Sequence, residues 1–220
     1  MRKNWLTGLL TTYTIKEINS PINGLIKIVM VFNRPRMIIG GLLQSGGLII
    51  KLWDKAIKKL RKDKQRVKNA LIIGLGCGDC AFSLERHYPG AKIMGIEIDE
   101  KIADLAQCYF NLATLKNLKI NITDGVKYVE KISKQKKGLK YDLIVMDAYL
   151  GEKMSRAFRS EKFFNNLIKI LDAHGVVIYN HLFFGKHKKR AGGFIKDLEK
   201  SFSKIVLQRQ ASNLLIFARK

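Results

Sequence analysis

The feature that most constrains the fold is an alternation, from Ala70 onward, of short apolar segments with segments of helical periodicity. Residues 80–88, 99–113, 125–134 and 157–171 carry apolar side chains at helical spacing. The apolar segments around them are typical of strands and read ALIIGL, KIMGIEI, LKINIT, YDLIVMD and GVVIYNH. Strands that alternate with amphipathic helices form a parallel sheet with helices on both faces. The sequence therefore predicts an α/β sandwich.

The end of the chain breaks this alternation. After a predicted helix at residues 191–201, the segments KIVLQRQ and NLLIFAR are separated by only two residues. Two strands this close in sequence pair as an antiparallel hairpin, because a parallel pair needs a long crossover connection. We therefore predict a mostly parallel seven-stranded sheet in which the last strand runs antiparallel.

The N-terminal part of the chain is typical of short antiparallel strands. TYTIKEI alternates apolar and polar residues, GLIKIVMVF is rich in strand formers, and MIIGGLLQSGG is a strand pattern interrupted by glycines. The segment NRPR predicts a turn, because Pro35 is excluded from a central strand. We expect a small β-appendage at residues 1–50 and a main domain at 51–220, which begins with an amphipathic helix at 51–68.

The charge balance of the chain is strongly basic. Its 220 residues include 41 Lys and Arg against 18 Asp and Glu, a formal net charge of +23. Such a surface attracts polyanions, among them nucleic acid and anionic lipid headgroups. The basic residues are scattered and mostly lysine, so a solvated basic face without any partner explains them equally well. Nucleic acid is therefore one of two open expectations for this surface.

Cysteine content and hydropathy bear on the location of the protein. Three cysteines cannot form a disulfide framework, which favours a reducing compartment. The longest uncharged stretch, residues 37–50, is 14 residues long, whereas a membrane span takes about 20 predominantly apolar residues. The apolar run at the N terminus is too short for a secretory signal. We expect a cytoplasmic protein without a membrane span.

Polar or glycine-rich residues directly follow each of the five predicted parallel strands. These segments are Gly74–Asp79, Glu97–Asp99, Asp124–Gly125, Asp147–Leu150 and Asn180–His181. In an open α/β sheet, ligands bind outside the carboxyl ends of the strands, near the point where the strand order reverses. The shared placement of the five segments predicts a single ligand site at that edge.

The first segment lies within LIIGLGCGDC and contains Gly74, Gly76 and Gly78. A dinucleotide fingerprint needs a third glycine where Asp79 stands, and a carboxylate there would repel a diphosphate. The glycines either let a nucleoside lie against bare backbone or only form a tight turn. The CxxC sequence of this loop lacks a second cysteine pair and a histidine at zinc spacing, so we predict no metal.

Acidic residues follow the second and third strands. Glu97, with Ile98 beside it, can accept hydrogen bonds from both ribose hydroxyls of a nucleoside. The alternative is a helix cap, for which Asp99 is better placed. Asp124, followed by Gly125, can accept a hydrogen bond from an adenine amino group or can cap the next helix.

Asp147 closes the fourth strand, at the edge that faces the reacting end of the ligand. A carboxylate there can bind an ammonium group and then take its proton, which prepares a neutral amine for nucleophilic attack. An aspartate that only caps a helix or stabilises a loop is the alternative. We therefore treat Asp147 as a candidate general base.

Together, GLGCGD, GIEIDE, TDGVKYV and the reversed last strand resemble the S-adenosylmethionine-dependent class I methyltransferase fold, a Rossmann-like sandwich. Within this fold, the chain most resembles the spermidine synthase-like proteins, the polyamine aminopropyltransferases. MDAYLGEKMSRAFRSEKFFNNL carries the resemblance most strongly, with SPINGLIKIV and GGLLQSG in the appendage. The resemblance covers about residues 12–219 of the chain.

The resemblance implies a transferase with a small-molecule amine acceptor. Glu97 would hold the ribose, Asp124 the adenine side, and Gln44 would contact the nucleoside from the appendage. Asp147 would be the general base, with Tyr149 beside it in the catalytic turn. The donor would be decarboxylated S-adenosylmethionine, which leaves methylthioadenosine. No metal is implied.

Two other functions stay open on the sequence. One is an S-adenosylmethionine-dependent methyltransferase that acts on RNA or another anionic substrate, and the other is a nucleoside or nucleic-acid binder without catalysis. Cys77 and Leu150 stand where the resembled family carries acids that bind the donor's and the acceptor's amine. The residues expected to contact the nucleoside thus match the family, whereas the residues expected to bind the two amines differ from it. A homodimer through an exposed edge of the appendage is a further expectation.

Overall fold

The computed structural model describes residues 12–135 and 138–220. The strands in these residues are β1 (Tyr13–Ser20), β2 (Gly24–Val31), β3 (Arg34–Ile39), β4 (Leu42–Leu43), β5 (Asn69–Ile73), β6 (Lys92–Glu97), β7 (Leu118–Ile122), β8 (Tyr141–Met146), β9 (Leu171–Leu182), β10 (Lys204–Gln210) and β11 (Asn213–Arg219). The helices are α1 (Leu48–Lys62), α2 (Asp79–His87), α3 (Glu100–Tyr109), α4 (Gly125–Ser133), α5 (Glu161–Ile170) and α6 (His187–Glu199).

The main sheet has seven strands in the order β10-β11-β9-β8-β5-β6-β7. The five strands β5 to β9 are parallel, and β11 runs antiparallel to both of its neighbours, β9 and β10. From β5 the chain continues to β6 and β7 on one side of the sheet and then crosses to β8 and β9 on the other side. This change of direction opens a crevice at the carboxyl ends of β5, β6 and β8. The α/β class, the mostly parallel seven-stranded sheet and the reversed last strand are confirmed.

Two apolar cores cover the two faces of this sheet. Successive side chains of a strand point to opposite faces, so Ile72 and Val145 pack on one core while Leu71 and Met146 pack on the other. Side chains of α1, α2 and α3 complete the first core, and those of α4, α5 and α6 complete the second. Burial on both faces explains why the central strands are continuous apolar segments.

The appendage is an antiparallel sheet in the order β1-β2-β3-β4, as the sequence predicts. Its apolar face packs on the glycine loop and on α3, in a cluster that joins Ile28 and Met37 to Cys77 and Ile102. The appendage therefore lies beside the carboxyl ends of the parallel strands. The predicted division at residue 50 falls inside α1, which begins at Leu48, and two separate units stay a prediction.

The predicted turn at NRPR is wrong. The turn consists of Phe32 and Asn33, both with positive φ, and Pro35 lies inside β3, opposite Met30. A proline is tolerated there because β4 pairs only with the far end of β3, at Ile38 and Ile39. At Pro35, β3 has one neighbouring strand, and no hydrogen bond is required on its other side.

Several helices end or begin a few residues away from their predicted positions. The first helix stops at Lys62 instead of 68, where Lys64 adopts a left-handed φ of 57°. The helix predicted at 99–113 stops at Tyr109, before Asn111 with φ 57°. Ser160 caps α5 through a hydrogen bond from the Phe163 amide, so a short 3-10 turn replaces the first residues of the helix predicted at 157–171. The last helix begins at residue 187 instead of 191.

None of the helices in the described residues is long and apolar enough to span a membrane.

Gly74 lies where the backbones at the ends of β5 and β8 approach each other closely. Its φ is +85°, and an added Cβ would lie 2.4 Å from the carbonyl oxygen of Asp147. Gly90 has almost the same φ, +83°, but open space around it. Gly90→Ala is therefore expected to cost about 1–2 kcal/mol of unfolding free energy, and Gly74→Ala about 3 kcal/mol or more, because overpacking adds to the backbone strain. Urea denaturation measures both, and equal losses would contradict the close approach.

Candidate active site

A cavity of about 540 Å³ opens at the carboxyl ends of the parallel strands, next to the appendage. Cavities that bind small molecules have this size and commonly lie at this point of an α/β fold. The predicted site residues that line it are Gln44, Gly74, Gly76, Asp79, Glu97, Ile98, Asp124, Gly125, Asp147 and Tyr149. Gly78 does not line the cavity. It precedes α2 in a left-handed conformation, close to the Leu112 side chain.

The glycine loop presents backbone to the cavity at Gly76. This residue has a φ of +54°, and an added Cβ would meet no atom within 4 Å. The amide of Gly76 donates a hydrogen bond to Glu97 Oε2, at 2.9 Å. Gly76 thus lines the cavity without a side chain and with open space around the position of a Cβ.

Glu97 is a buried carboxylate held by backbone amides. Its Oε1 accepts hydrogen bonds from the amides of Ile98 (2.9 Å) and Asp99 (3.1 Å). Burial raises the pKa of Glu97, and the three backbone donors oppose that rise. The helix cap that the sequence leaves open falls to Asp99, which accepts from the Lys101 amide at 3.0 Å. Glu97 therefore links the glycine loop to the end of β6 and faces the cavity.

Asp124 and Ile98 form the part of the cavity beyond β6. Asp124 caps α4, because its Oδ1 accepts a hydrogen bond from the Lys127 amide at 2.9 Å. The side chain of Ile98 is 41% exposed and gives this end of the cavity an apolar wall. The cap at Asp124 is thus established, and contacts of these residues with a nucleoside stay predictions.

Asp147 is half-buried and is held by two neutral donors. Asn180 Nδ2 donates to its Oδ1 at 2.8 Å, and the indole Nε1 of Trp53 donates to its Oδ2 at 3.2 Å. Asn213 Nδ2 in turn donates to Asn180 Oδ1 at 2.8 Å. Burial raises the pKa of Asp147 to about 7, although both donors lower it. A carboxyl group that titrates near neutral pH is suited to accept and release a proton.

Sequence reasoning missed Trp53 and Asn213 as parts of the site. Trp53 lies in the amphipathic helix predicted at 51–68, where periodicity explains it only as a buried apolar residue, and it is indeed 1% exposed. Asn213 directly follows the two-residue turn of the last hairpin, which the sequence did predict. Because β11 pairs with β9 in the register Leu215 to Asn180, that turn lies beside the other strand ends.

The Tyr149 hydroxyl is bound to the backbone of β9. It donates to the carbonyl oxygen of Asn180 at 2.8 Å and accepts from the Leu182 amide at 3.3 Å. Burial raises the pKa of Tyr149 far above its usual value. These contacts fix the turn that follows Asp147, and a direct catalytic role of Tyr149 stays a prediction.

Cys77 is buried in apolar surroundings, with its Sγ 3.7 Å from the Met37 Sδ. Burial raises the pKa of its thiol, so the group is neutral at physiological pH. Asp79, two residues further on, lines the cavity and accepts a hydrogen bond from the Gly46 amide at 3.1 Å. Burial raises the pKa of Asp79 to about 6. The glycine loop thus offers a carboxylate at Asp79 instead of at position 77.

The cavity is acidic although the chain is basic. In the described residues, five carboxylates and one lysine line it: Asp79, Glu97, Asp124, Asp147, Glu152 and Lys153. A cleft lined by one sign of charge focuses its own local potential. The net charge of +23 therefore does not exclude a cationic amine from this cavity.

Within the described residues, no group of three or more metal-ligating side chains is close enough to hold a metal ion.

Comparison with known protein families identifies the family of the chain. The family model of the Spermine/spermidine synthase domain matches residues 57–215, well over half of the chain. The chain belongs to the spermine/spermidine synthase family.

The names of similar proteins describe two different transfer reactions. The chain is 26% identical over 148 residues to the polyamine aminopropyltransferase of Vibrio vulnificus, covering 67% of this chain and 49% of that protein. It is 30% identical over 118 residues to the eEF1A lysine and N-terminal methyltransferase of Xenopus laevis, covering 51% of this chain and 17% of that protein. The chain thus spans about half or less of the length of the curated relatives it matches.

Solved structures show the same fold. A probable spermidine synthase from Corynebacterium glutamicum superposes with a TM-score of 0.77 at 16% identity, covering 94% of this chain and 79% of that one. A spermidine synthase in complex with the transition state analogue AdoDATO gives 0.76 at 17% identity, with 93% and 73% covered. Human methyltransferase-like protein 13 in complex with SAH gives 0.63 at 23% identity, with 78% and 79% covered. The class I methyltransferase fold is confirmed.

The contact between Trp53 and Asp147 makes the titration of the carboxylate visible. In a Trp5→Phe background, Trp53 is the single tryptophan, and its fluorescence is expected to change with a midpoint near pH 7 as Asp147 ionises. Because the folded-state pKa lies above that of an unfolded aspartate, the contribution of Asp147 to stability is expected to fall as pH rises from about 4 through 7.

Two variants control this measurement. Asp147→Asn should abolish the transition near pH 7, whereas Asp142→Asn, at the opposite end of β8, should leave it in place. A midpoint below pH 5, or a transition near pH 7 that persists in Asp147→Asn, would contradict the assignment of the raised pKa to Asp147.

Proposed function

We propose that the protein transfers an aminopropyl group from decarboxylated S-adenosylmethionine to a small-molecule amine, with Asp147 as the general base. The observation that carries this proposal is the half-buried Asp147 carboxylate at the cavity, whose pKa of about 7 suits both binding an ammonium group and taking its proton. Membership in the spermine/spermidine synthase family supports the reaction class.

The donor is assigned to the end of the cavity formed by β5, β6 and β7. Glu97 would accept from the ribose hydroxyls, Asp124 and Gly125 would face the adenine, and Ile98 would pack against the base. Gln44 also lines the cavity and would contact the nucleoside from the appendage. The similar structures that contain SAH and AdoDATO support a donor of the S-adenosylmethionine type.

The proposed step moves one proton and exchanges one bond. The acceptor enters as an ammonium ion and hydrogen-bonds to the ionised carboxylate of Asp147, which takes one of its protons. The neutral nitrogen then attacks the aminopropyl carbon next to the sulfonium, the carbon–sulfur bond breaks, and its electron pair stays on sulfur. Methylthioadenosine leaves uncharged, and Asp147 returns its proton to solvent. Trp53 and Asn180 keep the carboxylate in place.

Methyl transfer from intact S-adenosylmethionine is the second candidate. The buried, neutral Cys77 favours it, because the glycine loop has no carboxylate at that residue for the donor's aminopropyl amine. The likeness to the eEF1A lysine and N-terminal methyltransferase, a protein whose name describes amine acceptors, also supports this candidate. Asp147 would deprotonate the attacking amine in the same way.

Identification of the nucleoside product separates the candidates. With both donors and a panel of amines, we expect methylthioadenosine from the decarboxylated donor, whereas S-adenosylhomocysteine would support methyl transfer.

Loss of a positioned general base typically costs about 10²–10⁴-fold in rate, so Asp147→Asn should lower kcat by this factor. Asp142→Asn is the matched control, because its carboxylate accepts from the amides of Lys68 and Asn69 at the other end of β8. Donor binding without either product would favour the non-catalytic binder.

One exposed face of α1 is the candidate surface for a nucleic-acid partner. Lys51, Lys55, Lys58 and Lys62 recur on α1 at the spacing of a single helical face, and all four are exposed. Among the described residues, none of the four takes part in an ion pair. We propose this stripe as the place where a phosphate backbone would bind, through the release of counterions.

Replacing these four lysines by glutamine should weaken binding of a single-stranded RNA 20-mer. The slope of log affinity against log salt should fall by about 3 if all four contact phosphates. An equal-charge control replaces Lys188, Lys189, Lys196 and Lys200, which are exposed on or next to α6. Filter binding between low and moderate salt measures both variants. The same loss in both would show that only net charge matters.

Location and assembly remain proposals. The three cysteines, Cys77, Cys80 and Cys108, are free thiols, which supports a cytoplasmic location. A homodimer through the edge of the appendage at β1 would be detected by light scattering, and a monomer at working concentration would remove that proposal.

A further inference from the structure

We propose that the acceptor is a primary amine with a hydrocarbon substituent, and not a polyamine. This assignment rests on the proposed transfer to an amine at Asp147 and concerns the part of the acceptor that does not react. The observations that carry it are the exposed apolar side chains on one side of the cavity and the pairing of the charged groups beside them.

Exposed apolar side chains are concentrated at the cavity. Among the described residues, thirteen large hydrophobic side chains are exposed, and six of these line this cavity: Leu42, Leu43, Leu48, Ile98, Leu150 and Phe184. Leu48 is 67% exposed and Leu150 is 50% exposed. Single exposed apolar residues are ordinary, but apolar residues gathered at the lining of one cavity indicate a surface that a ligand covers.

Three of these six side chains, Leu48, Leu150 and Phe184, belong to the acceptor side. Leu150 and Phe184 follow β8 and β9, the strands that carry Asp147 and Asn180 at their ends. Leu48 is the first residue of α1, the helix whose Trp53 binds Asp147. The proposed ribose and adenine contacts lie on β6 and after β7, on the other side of β5. An amine bound to Asp147 would therefore extend its substituent along Leu48, Leu150 and Phe184.

The charged groups on this side do not favour a second ammonium group. Glu152 lies 3.2 Å from His187 Nε2 and 3.7 Å from Lys186 Nζ, so its carboxylate already has partners. Lys153 also lines the cavity and would repel a second cation. In the described part of the chain, Asp147 is thus the one carboxylate of this side without a basic partner. A second ammonium group would lose hydration and gain no charged partner, which is unfavourable.

A series of amines tests the proposal. We expect kcat/KM to rise about threefold to fourfold for each added methylene from propylamine to hexylamine, because each one buries apolar surface. Each alkylamine should exceed the α,ω-diamine of the same length, by about tenfold at six carbons. A preference for the diamine at every length would overturn the proposal.

Calorimetry keeps this test separate from the proposed function. Binding of hexylamine and of 1,6-diaminohexane to the protein with methylthioadenosine needs no turnover. Tighter binding of hexylamine supports the apolar site even if no product forms with any amine, an outcome that would count against the transfer reaction alone. Tighter binding of the diamine, or equal binding, would overturn the apolar site even if product forms.

A matched pair of leucine variants locates the effect. Leu150 and Leu207 are both 50% exposed, but Leu207 lies on the edge strand β10 and does not line the cavity. Leu150→Asp should lower hexylamine affinity about tenfold and raise the affinity for 1,6-diaminohexane. Leu207→Asp should leave the ratio of these two affinities unchanged. An unchanged ratio in Leu150→Asp, or the same change in both variants, would contradict the position of the acceptor.

Discussion

The arrangement of the site depends on the carboxylate of Asp147, which is held between a helix and a neighbouring strand. Trp53 on α1 donates to one oxygen and Asn180 on β9 donates to the other. Both donors are neutral, so they orient the carboxylate without forming an ion pair that would neutralise it. Partial burial then raises its pKa to about 7, where a proton can be both taken and released. The apolar core beneath makes this possible, because it fixes α1 against the sheet.

The appendage completes the site through contacts with the carboxyl ends of the strands. The Gly46 amide donates to Asp79, and Asn23 Nδ2 donates to Asp99 at 2.6 Å. Met37 packs against Cys77 in the same region. These contacts place Gln44 and the β4 leucines at the cavity. The cavity thus forms where two sheets meet at one edge, with polar side chains and exposed leucines in its lining.

The sequence predicted the parts of this structure that follow from periodicity. The parallel sheet, its reversed last strand and the cavity at the strand ends all follow from patterns that the chain displays locally. Trp53 could not be found in this way, because a buried tryptophan on a helical stripe has the same pattern whether or not its indole nitrogen meets a carboxylate. The same holds for Asn213, whose contact with Asn180 depends on the register of β11. The helix ends at Lys62 and Tyr109 were missed because the left-handed residues that follow them, Lys64 and Asn111, are not glycines.

The proposed reaction requires that Asp147 binds the amine that reacts. A crystal structure of the protein with methylthioadenosine and hexylamine would show whether this contact forms. We expect the amine nitrogen within about 2.6–3.2 Å of the Asp147 carboxylate, the alkyl chain along Leu150 and Phe184, and the adenine beside Ile98. An amine bound at Glu152, or a nucleoside that occupies the space in front of Asp147, would rule out this role of Asp147.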